Sequence, residues 1–212
     1  MTSPDSVRND GSLSQSESNS HTIDLIVSSG HAVQASIYTI SGTDSVADPH
    51  TDLDSHANMV VLGKHAYIFE STGKTFNVNP FSDDLGIAKD VPIVGGAVYY
   101  DCPYTRETYI LIIRNALHIP SMENNLIPPF IVMQGGVKVN DIPKIQCLDP
   151  SMDDHCISFT QCDIRIPLQL MGIFSYFHTR KLLSPELFDN DKVFITPFPS
   201  EWNPNFFSFE NN

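Results

Sequence analysis

The apolar residues of this sequence fall into short runs that are separated by turn-forming residues. The chain of 212 residues contains 15 prolines, and proline interrupts both helices and central strands. Short apolar runs bounded by Gly, Pro, Asn, Asp and Ser are typical of strands joined by turns. No long segment has helical periodicity or a heptad repeat. The sequence therefore predicts a mostly β protein.

One of these runs predicts a strand that is buried on both faces. Residues 109–113 are apolar throughout, as expected of a strand covered from both sides. Residues 91–100 carry a Gly-Gly pair between two apolar runs, and this pattern predicts a hairpin. Further elements are predicted as strands at 22–27, 31–41, 66–69 and 75–78, a turn at 71–74, and short helices at 130–133 and 184–188.

The charge balance argues against polyanionic partners. Acidic residues outnumber basic residues by 25 to 12, which gives a net charge of −13. Binding to nucleic acid or to an anionic membrane needs clustered Lys and Arg, so we expect neither as a partner. No apolar run approaches the roughly 20 residues of a membrane span, and residues 1–20 lack the apolar core of a secretory signal.

The cysteines indicate a reducing environment. Four cysteines in a chain of this length do not resemble a disulfide framework. Cys147, Cys156 and Cys162 lie close to Asp153, Asp154 and His155 in sequence, but their spacing lacks the paired pattern of a structural zinc site. We therefore expect an intracellular protein without a resident metal ion or cofactor.

The chemistry of the chain is concentrated in residues 53–63. Asp54 ends a short polar run and is followed by Ser55, His56 and Ala57, and an apolar run then closes on Gly63. A carboxylate at the tip of a turn between two apolar strands is what an aspartic protease needs, because two such carboxylates share a proton and activate a water molecule. Asp-Ser is also a common turn dipeptide, so an ordinary turn is the alternative.

Two motifs together resemble the protease region of copia-type retrotransposon polyproteins. In that family an Asp-Ser-Gly-Ala turn is followed by a segment like Ile-Ile-Arg-Asn-Ala-Leu-His-Ile-Pro, which stands here at 112–120 and continues to Leu126 and Ile127. Residues 167–180 and Trp202-Asn203-Pro204 resemble the stretch that follows the protease in one branch, where Asp-Ser-His-Ala also occurs. The resemblance covers residues 50–205.

The resemblance implies a retropepsin-like fold with one catalytic aspartate per chain. Residues 22–140 would form the small antiparallel β domain, residues 141–212 a β-rich extension packed on it, and residues 1–21, which are rich in Ser, Asn and Asp, a disordered segment. A working site would be a homodimer in the cytoplasm or in a retroelement particle. Its substrate would be a peptide or polyprotein.

The resemblance also assigns roles to individual residues. Asp54 would be the catalytic carboxylate, Ser55 would hold the turns of two subunits together, and Ala57 would pack under the turn. Val94, Gly95 and Gly96 would form the flap that closes over an extended peptide, because glycine lets the backbone approach a ligand and hinge.

His56 departs from the family pattern, which has Gly at this position. A His adds bulk and a titratable ring beside the carboxylates, and in its protonated form it would favour ionised Asp54 and oppose proton sharing. The substitution is therefore compatible with lost chemistry, with retained chemistry, or with a metal ion held between two His and two Asp. The alternatives to a protease are a catalytically silent dimerisation or binding module, and a polyprotein segment with no independent role.

Overall fold

A computed structural model of the chain describes residues 25–27, 48–57, 59–80, 88–182 and 190–199. The prediction of a mostly β protein is confirmed over these residues. The segment 1–21, the strand expected at 31–41, the helix expected at 184–188 and the motif at Trp202 lie outside the described residues.

The secondary structure consists mainly of strands. The strands are β1 (Leu25–Val27), β2 (His50–Leu53), β3 (Val60–Leu62), β4 (Tyr67–Pro80), β5 (Ala88–Asp101), β6 (Thr108–His118), β7 (Asn125–Ile127), β8 (Lys138–Asn140), β9 (Cys156–Phe159), β10 (Ile164–Pro167), β11 (Gln169–Met171), β12 (Phe174–His178) and β13 (Asp191–Phe194). One short α-helix, α1 (Pro129–Gln134), follows β7, and a 3₁₀ turn spans Lys144–Gln146. Over the described residues, no helix combines the length and apolar character needed to cross a membrane.

The strands form two sheets. The larger sheet has the order β1-β4-β5-β6-β3-β7-β2-β12-β11, and β13 also pairs with β6. The smaller sheet has the order β10-β9-β8. Most neighbours are antiparallel, whereas β2–β7, β3–β6 and β13–β6 are parallel. Both β12 and β13 come from the C-terminal third of the chain, and both lie in the same sheet as β2 and β6.

The short strand β7 separates the two strands that precede and follow the Asp54 turn. β2 pairs with β7 in parallel, and β3 pairs with the other side of β7 at Val61 and Leu126. Although β2 and β3 are neighbours in sequence, β7 lies between them in the sheet. The Asp54 turn therefore crosses the end of β7, and β7 fixes the distance between the two strands.

The strand expected at 109–113 lies within β6 and is covered on both faces, as predicted. Leu111 and Ile113 belong to the main hydrophobic core. Ile110 and Ile112 face the other side, where they pack with a second cluster that includes Leu182. Because both faces are covered, successive residues of this strand are all apolar instead of alternating with polar ones.

The prediction of a hairpin at 91–100 is wrong. β5 runs without a turn from Ala88 to Asp101, and Gly95 and Gly96 lie near its middle. A Cβ atom on Gly96 would lie 2.5 Å from Leu62 Cδ1 and 3.1 Å from the Tyr67 carbonyl oxygen. This glycine therefore serves close packing between neighbouring strands and not a reversal of the chain.

The turn expected at 71–74 is an irregularity inside β4. β4 continues from Tyr67 to Pro80, and its pairing with β5 shifts between Ser71 and Thr75. Gly73 has a φ of 72°, a conformation that glycine adopts without steric cost. The irregularity inserts extra residues into one strand without ending it, as a β-bulge does.

We predict that Gly96→Ala destabilises the protein by about 1–3 kcal/mol, the usual cost of overpacking a core. The new methyl group would lie 2.5 Å from Cδ1 of the fully buried Leu62 and 3.1 Å from the backbone carbonyl oxygen of Tyr67. Gly95→Ala is the matched control, because its methyl group would meet the ends of Glu70 and Phe69, and Phe69 is exposed. Urea unfolding measures both variants, and equal losses of stability would contradict this account.

Candidate active site

Asp54 lies at the end of β2, where the backbone is held on two sides. Its N–H donates to the carbonyl oxygen of Ile127 (3.2 Å), which continues the pairing of β2 with β7 beyond Leu53. Its carbonyl oxygen accepts from the N–H of Ala57 (3.3 Å) and closes the turn. The residue is only 8% exposed. The turn therefore holds a carboxyl group almost out of water at a fixed place.

The side chain of Asp54 also stabilises the turn. Oδ1 accepts a hydrogen bond from the N–H of His56 (2.9 Å), an interaction that Asp commonly makes two residues ahead in a turn. The turn residue Ala57 is buried in the core. The small side chain that the resemblance places beneath the turn is thus in contact with the core.

The other two residues of the turn face solvent. Ser55 is exposed, and the side chain of His56 is 75% exposed. His56 Nδ1 lies 3.8 Å from Asp54 Oδ1 and 3.5 Å from Ser55 Oγ. The structure therefore brings Asp54, Ser55 and His56 together as a carboxylate with an imidazole ring at its exposed side.

The expected flap residues do not join this group. Val94, Gly95 and Gly96 are buried in the middle of β5, where they pair with β4 and β6. A segment that is hydrogen-bonded to strands on both sides inside a sheet lacks the freedom to open and close. The prediction of a flap at this position is therefore wrong. The connection between β4 and β5 falls at 81–87, outside the described residues.

Asn125 anchors the site and was missed by the sequence analysis. Its Oδ1 accepts from the N–H of Gly63 (3.0 Å), and its Nδ2 donates to Thr51 Oγ1 (3.1 Å). Thr51 Oγ1 in turn lies 3.0 Å from Thr179 Oγ1 of the loop after β12. Asn125 is 1% exposed. One amide thus connects β7, β2 and the end of β3, and its only sequence signal is a polar residue directly before the apolar pair 126–127.

Gly63 is required where the chain leaves β3. A Cβ atom there would lie 2.6 Å from the carbonyl oxygens of both Met122 and Asn124. These are backbone atoms of the segment that leads into β7, so they cannot move aside without disturbing that strand. Lys64 N–H also donates to the Met122 carbonyl oxygen (3.0 Å). The glycine that ends the sequence motif therefore permits β3 and the β7 segment to approach closely.

A second polar group, centred on His50, lies on β2, the strand that ends directly before Asp54. His50 is 5% exposed, and its Nδ1 lies 3.0 Å from the Asp48 carbonyl oxygen. Its Nε2 lies 3.3 Å from Asp52 Oδ1 and 2.8 Å from Asn124 Nδ2. The ring centroid of Tyr176 on β12 is 5.0 Å away. Sequence analysis did not single out this group, because neither His50 nor Asp52 belongs to a recognisable motif.

The pKa of His50 is raised above its ordinary value. Burial alone would lower it, since desolvation disfavours the imidazolium, but the Asp52 carboxylate and the Asp48 carbonyl oxygen together outweigh this effect. The protonated ring is therefore the favoured form over a wider pH range in the folded protein than in the unfolded chain.

The cysteine-rich region that was considered as a zinc site has other contacts. Asp153 pairs with Arg165 at 2.8 Å, and Cys156 is buried with its Sγ 3.2 Å from the Asp153 carbonyl oxygen. Within the ranges that the structure describes, no group of three or more His, Cys, Asp or Glu side chains is arranged to hold a metal ion.

Comparisons of the chain with protein-family models, with curated proteins and with solved structures found no match.

We predict that Asn125→Ala lowers the free energy of unfolding by about 1–3 kcal/mol, because it leaves the buried N–H of Gly63 without its acceptor. The control is Asn140→Ala. Asn140 also uses both ends of its amide, bonding to Asp153, Asp154 and Ile142, but its bonds lie nearer the surface. Chemical denaturation of both variants is the measurement, and a smaller loss in Asn125→Ala than in the control would refute the anchoring role.

We predict that His50 makes the protein more stable in acid than in alkali. Its pKa is higher in the folded than in the unfolded state, so its contribution is complete below the unfolded value of about 6.5 and is lost as the pH rises through the folded value. Denaturation of the parent and of His50→Gln across this range measures the difference. The stabilities of the two proteins should converge as the pH rises, and a constant difference would contradict the assignment.

Proposed function

We propose that this protein is a retropepsin-like aspartic endopeptidase that acts as a homodimer on a peptide or polyprotein substrate. The observation that carries the proposal is the Asp54 turn. A carboxyl group that is only 8% exposed is held at the end of β2 by backbone hydrogen bonds, while the tip of the same turn faces solvent. In this arrangement a desolvated carboxylate lies close to a surface at which a second, identical chain could contribute its own Asp54.

The chemistry requires two such carboxylates. One Asp54 acts as general base on a water molecule, and the other acts as general acid toward the carbonyl oxygen of the peptide bond. The two groups share one proton because two adjacent carboxylates cannot both ionise readily. Since each chain carries one Asp54 turn, the proposed partner is an identical chain related by a two-fold axis, which is the commonest symmetry of oligomers.

Each neighbour of Asp54 has a place in the proposed dimer. The exposed hydroxyl of Ser55 is available to bond across the two-fold axis, and Ala57 fixes the turn to the core. An extended peptide would bind by main-chain hydrogen bonds, as an added strand does. All four cysteines are free thiols, which supports an intracellular setting such as the cytoplasm or a retroelement particle.

A second candidate function, a catalytically silent dimerisation or binding module, is favoured by the position of His56. Its ring lies 3.8 Å from Asp54 Oδ1 and is 75% exposed, so it occupies space at the face where a second Asp54 and the attacking water would lie. An imidazolium at this distance stabilises the ionised carboxylate and opposes the shared proton. In this alternative the turn pairs two chains without cleaving peptides.

Cleavage of a diverse peptide library between about pH 4 and pH 7, the range in which carboxylate pairs act, separates the two functions. We predict cleavage by the parent and a loss of at least about a hundredfold in Asp54→Asn, which removes the general acid–base group. Asp149→Asn is the control, because Asp149 is an exposed carboxylate of the segment between β8 and β9. The dimer is measured separately by analytical ultracentrifugation.

The variant His56→Gly distinguishes a catalytic site that His56 blocks from a chain that has no catalytic site. Cleavage by His56→Gly but not by the parent would mean that the site is intact and that one side chain blocks it, which favours the silent module for the natural chain. A dimer that remains inactive in both proteins would favour the module outright. A monomer that cleaves nothing would contradict both functions.

A further inference from the structure

His50 and Asp52 lie at alternate positions of β2, and Asp54 follows two residues later, directly after the strand ends. Side chains two residues apart in a strand leave the same face. Asp54 stays in phase with β2 because its N–H continues the pairing with β7 through the Ile127 carbonyl oxygen. Two residues of strand span about 7 Å, so the Asp52 carboxylate lies within reach of strong electrostatic interaction with Asp54. Both side chains are largely buried, at 14% and 9% exposure.

The partners of His50 are better hydrogen-bonded when its ring carries a proton on both nitrogens. With Nδ1–H donating to the Asp48 carbonyl oxygen, Nε2 of the neutral ring accepts from Asn124. Asp52 Oδ1, 3.3 Å from Nε2, is then buried and accepts no hydrogen bond from any residue that the structure describes. A proton on Nε2 gives this oxygen a donor, and rotation of the Asn124 amide keeps the third partner bonded. A buried carboxylate oxygen without a donor is costly, so the site favours the proton.

The described elements around this pair carry several titratable groups. On β12, Tyr176 and His178 are the cross-strand partners of Asp52 and His50; the Tyr176 ring packs against His50, and the His178 ring lies 5.4 Å from that of Tyr176. Before β7, Glu123 adds a negative charge, but it is paired with Lys64 and His65. Asp48 contributes its carbonyl oxygen. Asp52 is therefore the carboxylate that faces the His50 ring.

We propose that His50 and Asp52 form a proton-binding pair that sets how tightly Asp54 holds its proton. While His50 is protonated, the pair has no net charge and leaves Asp54 unaffected. When His50 loses its proton, the negative charge of Asp52 remains on the same face of β2 and makes the Asp54 carboxylate harder to ionise. Both residues are positioning residues, since neither touches the reacting atoms. The catalytic meaning of the pair rests on the proposed function, whereas its effect on Asp54 does not.

The test is the carboxyl titration of Asp54, followed by ¹³C NMR in protein labelled at aspartate and assigned with Asp54→Asn. In Asp52→Asn the pair becomes a lone cation, so the titration midpoint of Asp54 should move to lower pH by about half a unit to one unit, the size expected for partly buried charges at this distance. In His50→Gln the pair becomes a lone anion, so the midpoint should move to higher pH. The double variant, which is neutral, should return close to the parent value.

Opposite shifts that cancel in the double variant would support the pair. If both single variants moved the Asp54 midpoint in the same direction, or if Asp52→Asn did not move it, the proposal would be overturned. Thermal unfolding tests whether each variant is folded. Asn and Gln are chosen because their amide groups can still form hydrogen bonds at these positions. The readout does not require peptide cleavage. A chain that cleaves no peptide but shows the opposite shifts would refute the peptidase function and leave the pair standing, whereas an active chain without these shifts would refute the pair alone.

Discussion

The pairing of β7 with both β2 and β3 is the constraint on which the site depends. β7 has only three residues, yet it bonds to the strand before the Asp54 turn and to the strand after it. The amide of Asn125 connects the same two strands from inside the core. If β7 were absent, β2 and β3 would be free to pair as an ordinary hairpin, and Asp54 would lie at a solvated hairpin tip. Inserting a strand between them keeps the carboxyl group out of water.

Burial of Asp54 makes its electrostatic surroundings decisive. In water a charge about 7 Å away has little effect on a carboxylate, but in a partly buried site the interaction is several times stronger. Asp54 has a titratable residue on each side along the chain. His56 approaches from the solvent side, where water screens its charge, whereas the side chains of His50 and Asp52 are largely buried within the sheet.

The sequence predicted local features and missed the contacts between distant segments. The continuous apolar run of β6 predicted a strand buried on both faces. The Asp54 turn was located because the residues that define it are consecutive in sequence. Asn125 was missed because its partners Gly63 and Thr51 lie 62 and 74 residues away in sequence. His50 was missed because its contacts with Asn124 and Tyr176 depend on strand pairing that no local pattern specifies. The pair Gly95-Gly96 was misassigned because glycine signals a turn and close packing alike, and only the position of Leu62 decides between them.

The two histidines near Asp54 therefore differ in what a substitution would change. His56 lies 3.8 Å from the carboxylate on an exposed turn, so a change there removes few packing contacts. His50 is buried among β2, β12 and the residue before β7, so a change there alters both the stability of the sheet and the charge beside Asp54. A substitution at His56 therefore probes the surroundings of the carboxylate with little effect on packing, whereas a substitution at His50 also removes contacts that hold the sheet together.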